Sequence, residues 1–202
     1  SKPGAGPEDN RWDRLGEDMI AIADDAGIDK FVVGGQSMGA ATALFAALFE
    51  PQRVKGLVLV TPPTAWEARA AQALNYRKMA ERLEKKGIEG VARLVSMSPA
   101  MPEWMYSAHP EKAELAVTTV RGFEVEPLKN ILLGAGLSNL PDTERLTGLQ
   151  MPALILAWNG DAGHPVGVAE RLAATLPNAE LAVASTLEDV AGWTARVEAF
   201  LK

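Results

Sequence analysis

Gly35-Gln36-Ser37-Met38-Gly39 is the stretch of this sequence whose residue types and spacing point to chemistry. Glycines two residues before and after a serine fit G-x-S-x-G, a sharp strand-to-helix turn that lifts the hydroxyl out of the fold. Five residues with three fixed occur by chance, so the weight comes from context. Phe31-Val32-Val33-Gly34 is an apolar, β-branched run of the kind that forms a buried strand. Met38–Phe49, rich in alanine and leucine, reads as a buried helix stopped by Pro51. Side chains at the flanking glycines are expected to clash with the neighbouring strand and helix. The chemistry implied is attack of the Ser37 hydroxyl on a carbonyl, with the Met38 N–H at the helix start aimed at the developing oxyanion. The competing reading is a Gly-rich turn that happens to hold a serine.

A serine hydroxyl needs a base, and histidine is the usual one. The 202-residue chain has two histidines, His109 and His164, and no cysteine. Thiolate nucleophiles, disulfides and Cys-ligated metals are therefore excluded. The net charge of −6 gives no electrostatic footprint for nucleic acid or an anionic membrane. The longest apolar stretch, near residues 40–49, is too short to span a bilayer. No signal peptide is evident, and the expected location is cytoplasmic. With 48% hydrophobic residues the chain can fill a real core.

The elements that must position Ser37 follow from periodicity. Trp12, Leu15, Met19, Ile22 and Ala26 recur at helical spacing, with Asp9 or Asn10 expected to cap the helix and Gly27 to end it. Val54–Val60 reads as a second buried strand, so residues 31–60 form a strand–helix–strand unit of a parallel sheet. From 64 to 149 the pattern is helical, with helices expected at 65–86, 88–97, 111–121 and 127–133, punctuated by Pro99, Pro102, Pro110, Pro127 and Pro141. Ala153–Trp158 returns to strand, followed by a loop and helix over 163–176, a strand at 180–184 and a closing helix at 187–201. The fold class is α/β, with residues 1–63 and 150–202 forming the core and 64–149 an inserted helical region.

Residues 31–63 closely resemble the α/β-hydrolase superfamily, and the helical middle resembles the cap of its esterase and lactonase branch. Ile155-Leu156-Ala157-Trp158-Asn159-Gly160-Asp161-Ala162-Gly163-His164-Pro165 resembles the loop that carries the family's acid, and the resemblance puts Asp161 at the acid position. Two departures accompany it. The resemblance begins partway through the fold: the opening Ser1-Lys2-Pro3-Gly4-Ala5-Gly6-Pro7 reads as a loop. The family's first four strands, and the loop donating its second oxyanion N–H, have no counterpart. This partial α/β-hydrolase fold is therefore expected to have its sheet edge covered by a preceding segment or by another chain. The family also places its histidine just after the last strand, where this chain reads Ala184-Ser185-Thr186-Leu187-Glu188-Asp189-Val190.

The resemblance implies a serine hydrolase of small esters or lactones, with Ser37 as nucleophile, Asp161 as the orienting acid and neither metal nor organic cofactor. His164 is the nearer candidate base; its alternative is a loop-shaping His-Pro pair. His109 is otherwise an exposed helix-start residue. Because His164 shares a short loop with Asp161, the carboxylate is expected to orient it imperfectly. The rival expectation is a non-catalytic member of the fold that serves as a binding or interaction module.

Overall fold

The computed structural model describes residues 5–97 and 101–202, so residues 1–4 of the expected opening loop and the punctuating Pro99 lie outside the described residues. The described residues form two compact units. One comprises Trp12–Trp66 and Asn139–Lys202; the other comprises Glu67–Ser138 and the described part of Ser1–Arg11.

The first unit is a parallel four-stranded sheet with helices. In chain order it contains α1 (Trp12–Asp25), β1 (Phe31–Gln36), α2 (Met38–Phe49) and β2 (Val54–Val60). After the helical unit come α7 (Thr143–Leu146), β3 (Ala153–Trp158), α8 (Val166–Thr175), β4 (Ala179–Ala184), α9 (Leu187–Ala191) and α10 (Trp193–Phe200). Strand order is β1-β2-β3-β4, every pairing parallel. All six residues of β3 are buried, as its uninterrupted apolar sequence requires. Of α2, Ala40 to Leu44, Ala46 and Ala47 are buried, and small alanines let the helix approach its neighbours closely. Gly16 of α1 sits where a Cβ would lie 2.8 Å from Phe45 Cβ, which explains a glycine inside that helix.

The register sets the working edge. Gln36 pairs with Val60, Val60 with Leu156 and Trp158 with Ala184, so the parallel strands end on one side of the sheet, β3 and β4 two residues beyond β1 and β2. The segments that leave β1, β2 and β3 therefore start from one side of the sheet, where open α/β sheets carry their ligand sites.

Several boundaries differ from expectation. Asp9 and Asn10 do not cap α1 from their side chains. They lie within a 3-10 turn, Glu8–Asn10, where Asp9 Oδ2 accepts from Gly6 N–H and Asn10 Nδ2 donates to Gly6 C=O. Gly27, with φ 65°, does end α1, and Ile28 N–H bonds back to Ala23 C=O. Residues 139–149 group with the sheet rather than with the preceding helices, and Leu146 and Leu149 among them are buried. The closing helix divides into α9 and α10 at Gly192.

The helical unit holds α3 (Arg69–Met97), α4 (Glu103–Ala108), α5 (Pro110–Arg121) and α6 (Val125–Gly136). Gly87, with φ 61° and ψ −167°, breaks α3 where the sequence separates two helices. Its core joins Ala80, Leu83, Val91 and Leu132. The buried Arg69 donates through Nε to Ser138 C=O at 2.7 Å and through Nη2 to Ala135 C=O, stitching the start of α3 to the end of α6. No strand occurs between β2 and β3 among the described residues. No helix among them is long and apolar enough to cross a membrane.

The β1–α2 turn distinguishes its two glycines. A Cβ on Gly35 would lie 2.7 Å from the Gly39 carbonyl carbon, whereas one on Gly39 meets nothing within 4 Å. The expected clash thus applies to one flank only: the backbone of Gly39 is the obstacle, and the side chain it excludes is at 35. Gly35→Ala should destabilise by about 1–3 kcal/mol through overpacking. Gly39→Ala, inside a helix where alanine is favoured over glycine, should lose no stability. Urea unfolding of both variants checks the contrast.

Candidate active site

Ser37 lies between the last residue of β1 and the first of α2 with φ 54° and ψ −112°, a conformation that non-glycine residues rarely adopt. Its own N–H donates to Val60 C=O at 2.9 Å, and its C=O accepts from Ala40 and Ala41 N–H as α2 begins. The turn is thereby tied to β2 on one side and to the helix on the other. Met38 is the first residue of α2, a position whose N–H has no acceptor within its own helix.

The segment 159–165 leaves β3 at the same edge. Gly160 turns the chain with φ 82°. Asp161 Oδ1 accepts from Gly163 N–H at 2.8 Å, and Oδ2 accepts from the indole Nε1–H of Trp158 at 3.0 Å. Thr64 holds the loop from the β2 side: both its N–H, at 3.0 Å, and its hydroxyl, at 2.9 Å, donate to Gly163 C=O. His164 Nδ1 is 2.8 Å from Asp161 Oδ2, and Nε2 is 2.8 Å from Ser37 Oγ. The structure thus brings Ser37, His164 and Asp161 into one continuous hydrogen-bonded line. The imperfect orientation expected of a histidine three residues from its acid is not found. With the chain turned at Gly160 and Gly163 clamped by Thr64, one short loop carries both groups at hydrogen-bonding distance.

The protonation pattern follows from the carboxylate. Burial, the largest single influence on Asp161, raises its pKa. That effect is outweighed by the hydrogen bond and charge of His164, the Trp158 indole N–H and the Gly163 N–H, so the group is held below the usual carboxylate range. An ionised carboxylate only accepts, so the Nδ1 of His164 carries the proton toward it. When the imidazole is neutral, Nε2 is a bare lone pair facing Ser37, and the serine hydroxyl donates to it. The side chains are well covered, with 16% of His164 and 6% of Asp161 exposed.

His109 takes no part in this line. It stands at the start of α5 in the helical unit, partly exposed, with Nδ1 2.7 Å from Glu111 Oε1. The stretch after β4 is occupied by a capping box: Thr186 Oγ1 accepts from Asp189 N–H and Asp189 Oδ2 accepts from Thr186 N–H, starting α9. Trp158 and Thr64 belong to the site and were not legible as such. A tryptophan ending an apolar strand reads as core, and a threonine after Pro62-Pro63 reads as turn. Among the described residues no group of three or more His, Cys, Asp or Glu could hold a metal ion.

A family model described as alpha/beta hydrolase fold matches residues 1–132, and the chain belongs to that family. Among named relatives, "Putative carbamate hydrolase RutD" of Agrobacterium fabrum is 26% identical over 177 residues, covering 87% of this chain and 66% of that protein. A protein of the same name from a Caulobacter species is 25% identical over 173 residues, with 84% and 62% covered. The chain thus spans less than two thirds of the length of either relative. Solved structures agree on the fold. A thermophilic esterase from Thermogutta terrifontis superposes with TM-score 0.81 at 24% identity, covering 95% of this chain and 72% of that one. The enol-lactonase from Burkholderia xenovorans gives 0.74 at 18% identity, covering 97% and 74%.

The depressed pKa of Asp161 makes a statement about stability. A folded-state value below the unfolded one stabilises the fold above the unfolded value and loses that contribution as pH falls through the folded value. The stability difference between wild type and Asp161→Asn should be full at neutral pH and narrow below about pH 4, the ordinary aspartate range. Chemical denaturation across pH 3–7 measures it.

Proposed function

We propose that this chain is a serine hydrolase of small esters or lactones. Ser37 is the nucleophile, His164 the general base and then acid, and Asp161 the group that orients and charge-balances His164. The observation that supports the reading is the line from Asp161 Oδ2 through the His164 ring to Ser37 Oγ, with 2.8 Å at each end. It meets the reach required of a nucleophile and its base.

The chemistry runs in two halves. Ser37 Oγ attacks the substrate carbonyl carbon while His164 Nε2 takes the hydroxyl proton. The imidazolium so formed faces the ionised Asp161 carboxylate. The negative charge that moves to the carbonyl oxygen is stabilised by the Met38 N–H at the start of α2. Collapse breaks the acyl–oxygen bond, His164 returns the proton to the leaving alcohol, and an acyl-Ser37 ester remains. Water, deprotonated by the same nitrogen, attacks that ester and releases the acid, restoring Ser37. The strained backbone of Ser37 serves this sequence by projecting Oγ away from the strand. Residues 67–138, the helical stretch between β2 and β3, are read as the family's cap. An acyl carbonyl is equally the reacting group of a carbamate, and that class belongs among the substrates to try.

Hydrolysis of p-nitrophenyl acetate tests the reading. Wild type should turn over. His164→Ala should lose about 10²–10⁴-fold in kcat, together with the ascending limb of its pH–rate profile. His109→Ala should match wild type. Undiminished turnover in His164→Ala would refute the assignment of the base.

A further inference from the structure

The carboxylate of Asp161 receives a donor that contact with His164 does not itself require. The Trp158 indole N–H reaches Oδ2, the same oxygen that accepts from His164 Nδ1. Trp158 is the last residue of β3 and only 9% exposed. Its ring stacks on Trp193, the first residue of α10, with centroids 5.8 Å apart and planes at 21°. We propose that Trp158 is a positioning residue of the hydrolytic site, anchoring the loop-borne carboxylate of Asp161 to the rigid end of β3 in the orientation that meets His164.

The proposal rests on the functional reading of Ser37, His164 and Asp161, and deepens it. Acid and base both ride on the segment 159–165, which has no regular hydrogen-bonded ladder of its own. The terminal torsion of an aspartate is soft, so a carboxylate on a loop must be fixed by its partners. Of the donors to Asp161, Gly163 N–H and His164 Nδ1 belong to the same loop and move with it. Trp158 alone of these three belongs to a strand, one buried along its whole length. Gly160, with φ 82°, turns the chain so that the carboxylate comes back over the indole three residues earlier. The stack on Trp193 holds the indole plane, and with it the direction of the N–H. A positioned group of this kind is what keeps reacting atoms within the narrow tolerance that catalysis needs. The charge bearing on Asp161 is that of His164; the indole adds a donor without adding charge. It therefore favours the ionised carboxylate without competing with His164 for protons.

The alternative is that Trp158 merely fills space between β3 and α10. Phenylalanine separates the two, since it keeps an aromatic ring for the stack and removes the N–H. Trp158→Phe should lower kcat on p-nitrophenyl acetate about 10-fold, the scale of one hydrogen bond to a charged group, with KM unchanged. In an Asp161→Asn background the same substitution should add less than about 2-fold, because the two residues act as a unit. A second readout needs no turnover. In the ¹⁵N-labelled wild type, the Trp158 indole N–H resonance, assigned by its loss in Trp158→Phe, should shift as Asp161 takes up a proton below about pH 4. In Asp161→Asn it should stay fixed over that range. An active wild type whose kcat is unaffected by Trp158→Phe, or an indole resonance indifferent to pH, would overturn the proposal and leave the functional reading standing. A wild type without esterase activity whose indole resonance still shifts with pH would overturn the functional reading and not the anchoring.

Discussion

The backbone of Ser37 is the constraint on which the rest of the site depends. A serine at φ 54° and ψ −112° costs on the order of 1–3 kcal/mol and persists only where its surroundings over-determine it. Here they do. The N–H of Ser37 is taken by Val60 on β2, its C=O by the first turn of α2, and Gly35 leaves room for the Gly39 backbone that follows. Those contacts require β1 and β2 to be paired in register and α2 to start at Met38. A one-residue slip of either strand would remove the Val60 bond and send alternate side chains to the opposite face. The parallel sheet and the buried alanine-rich helix are the scaffold that holds one hydroxyl in a turn the chain would otherwise relax.

His164 and Asp161 come from a single loop, so their alignment depends on local bonding. A histidine three residues beyond an aspartate can meet it only if the intervening chain folds back. Gly160 supplies the turn and Gly163 a backbone donor to Oδ1, while Thr64 clamps Gly163 C=O with two donors. Each bond is of ordinary strength, about 0.5–1.5 kcal/mol net and more at the carboxylate. Together they fix a segment that carries no helix or strand of its own. The stretch after β4 carries no histidine and forms the capping box that starts α9.

Much of this was legible in the sequence where local patterns decide structure. The runs at 31–34, 54–60 and 153–158 became strands because each is predominantly apolar and bounded by turn residues. Gly87 separated two helices because only a glycine takes φ 61° and ψ −167° without penalty, and the sequence showed it between two periodic stretches. The serine turn was visible because its motif and its flanking elements agree. The pairing of His164 with Ser37 was not readable from spacing, since it closes across 127 residues and depends on strand register. Trp158 was invisible as a site residue for a related reason. Its ring satisfies the strand's demand for apolar burial, while its one polar atom answers a loop that periodicity does not describe. Asp9 and Asn10 misled because a polar residue ahead of a helix can bond backward as readily as forward. The short α4 and α7 were missed because one or two turns leave little periodicity to detect.

Covalent labelling reads out whether Ser37 is a nucleophile activated by His164. A fluorophosphonate probe, followed by intact-mass measurement and peptide mapping, should give a single adduct on Ser37. The adduct should be absent in Ser37→Ala and should form about 10²-fold or more slowly in His164→Ala, the scale of general-base assistance. A wild-type chain left unmodified, or one modified equally when Ser37 is alanine, would contradict that role.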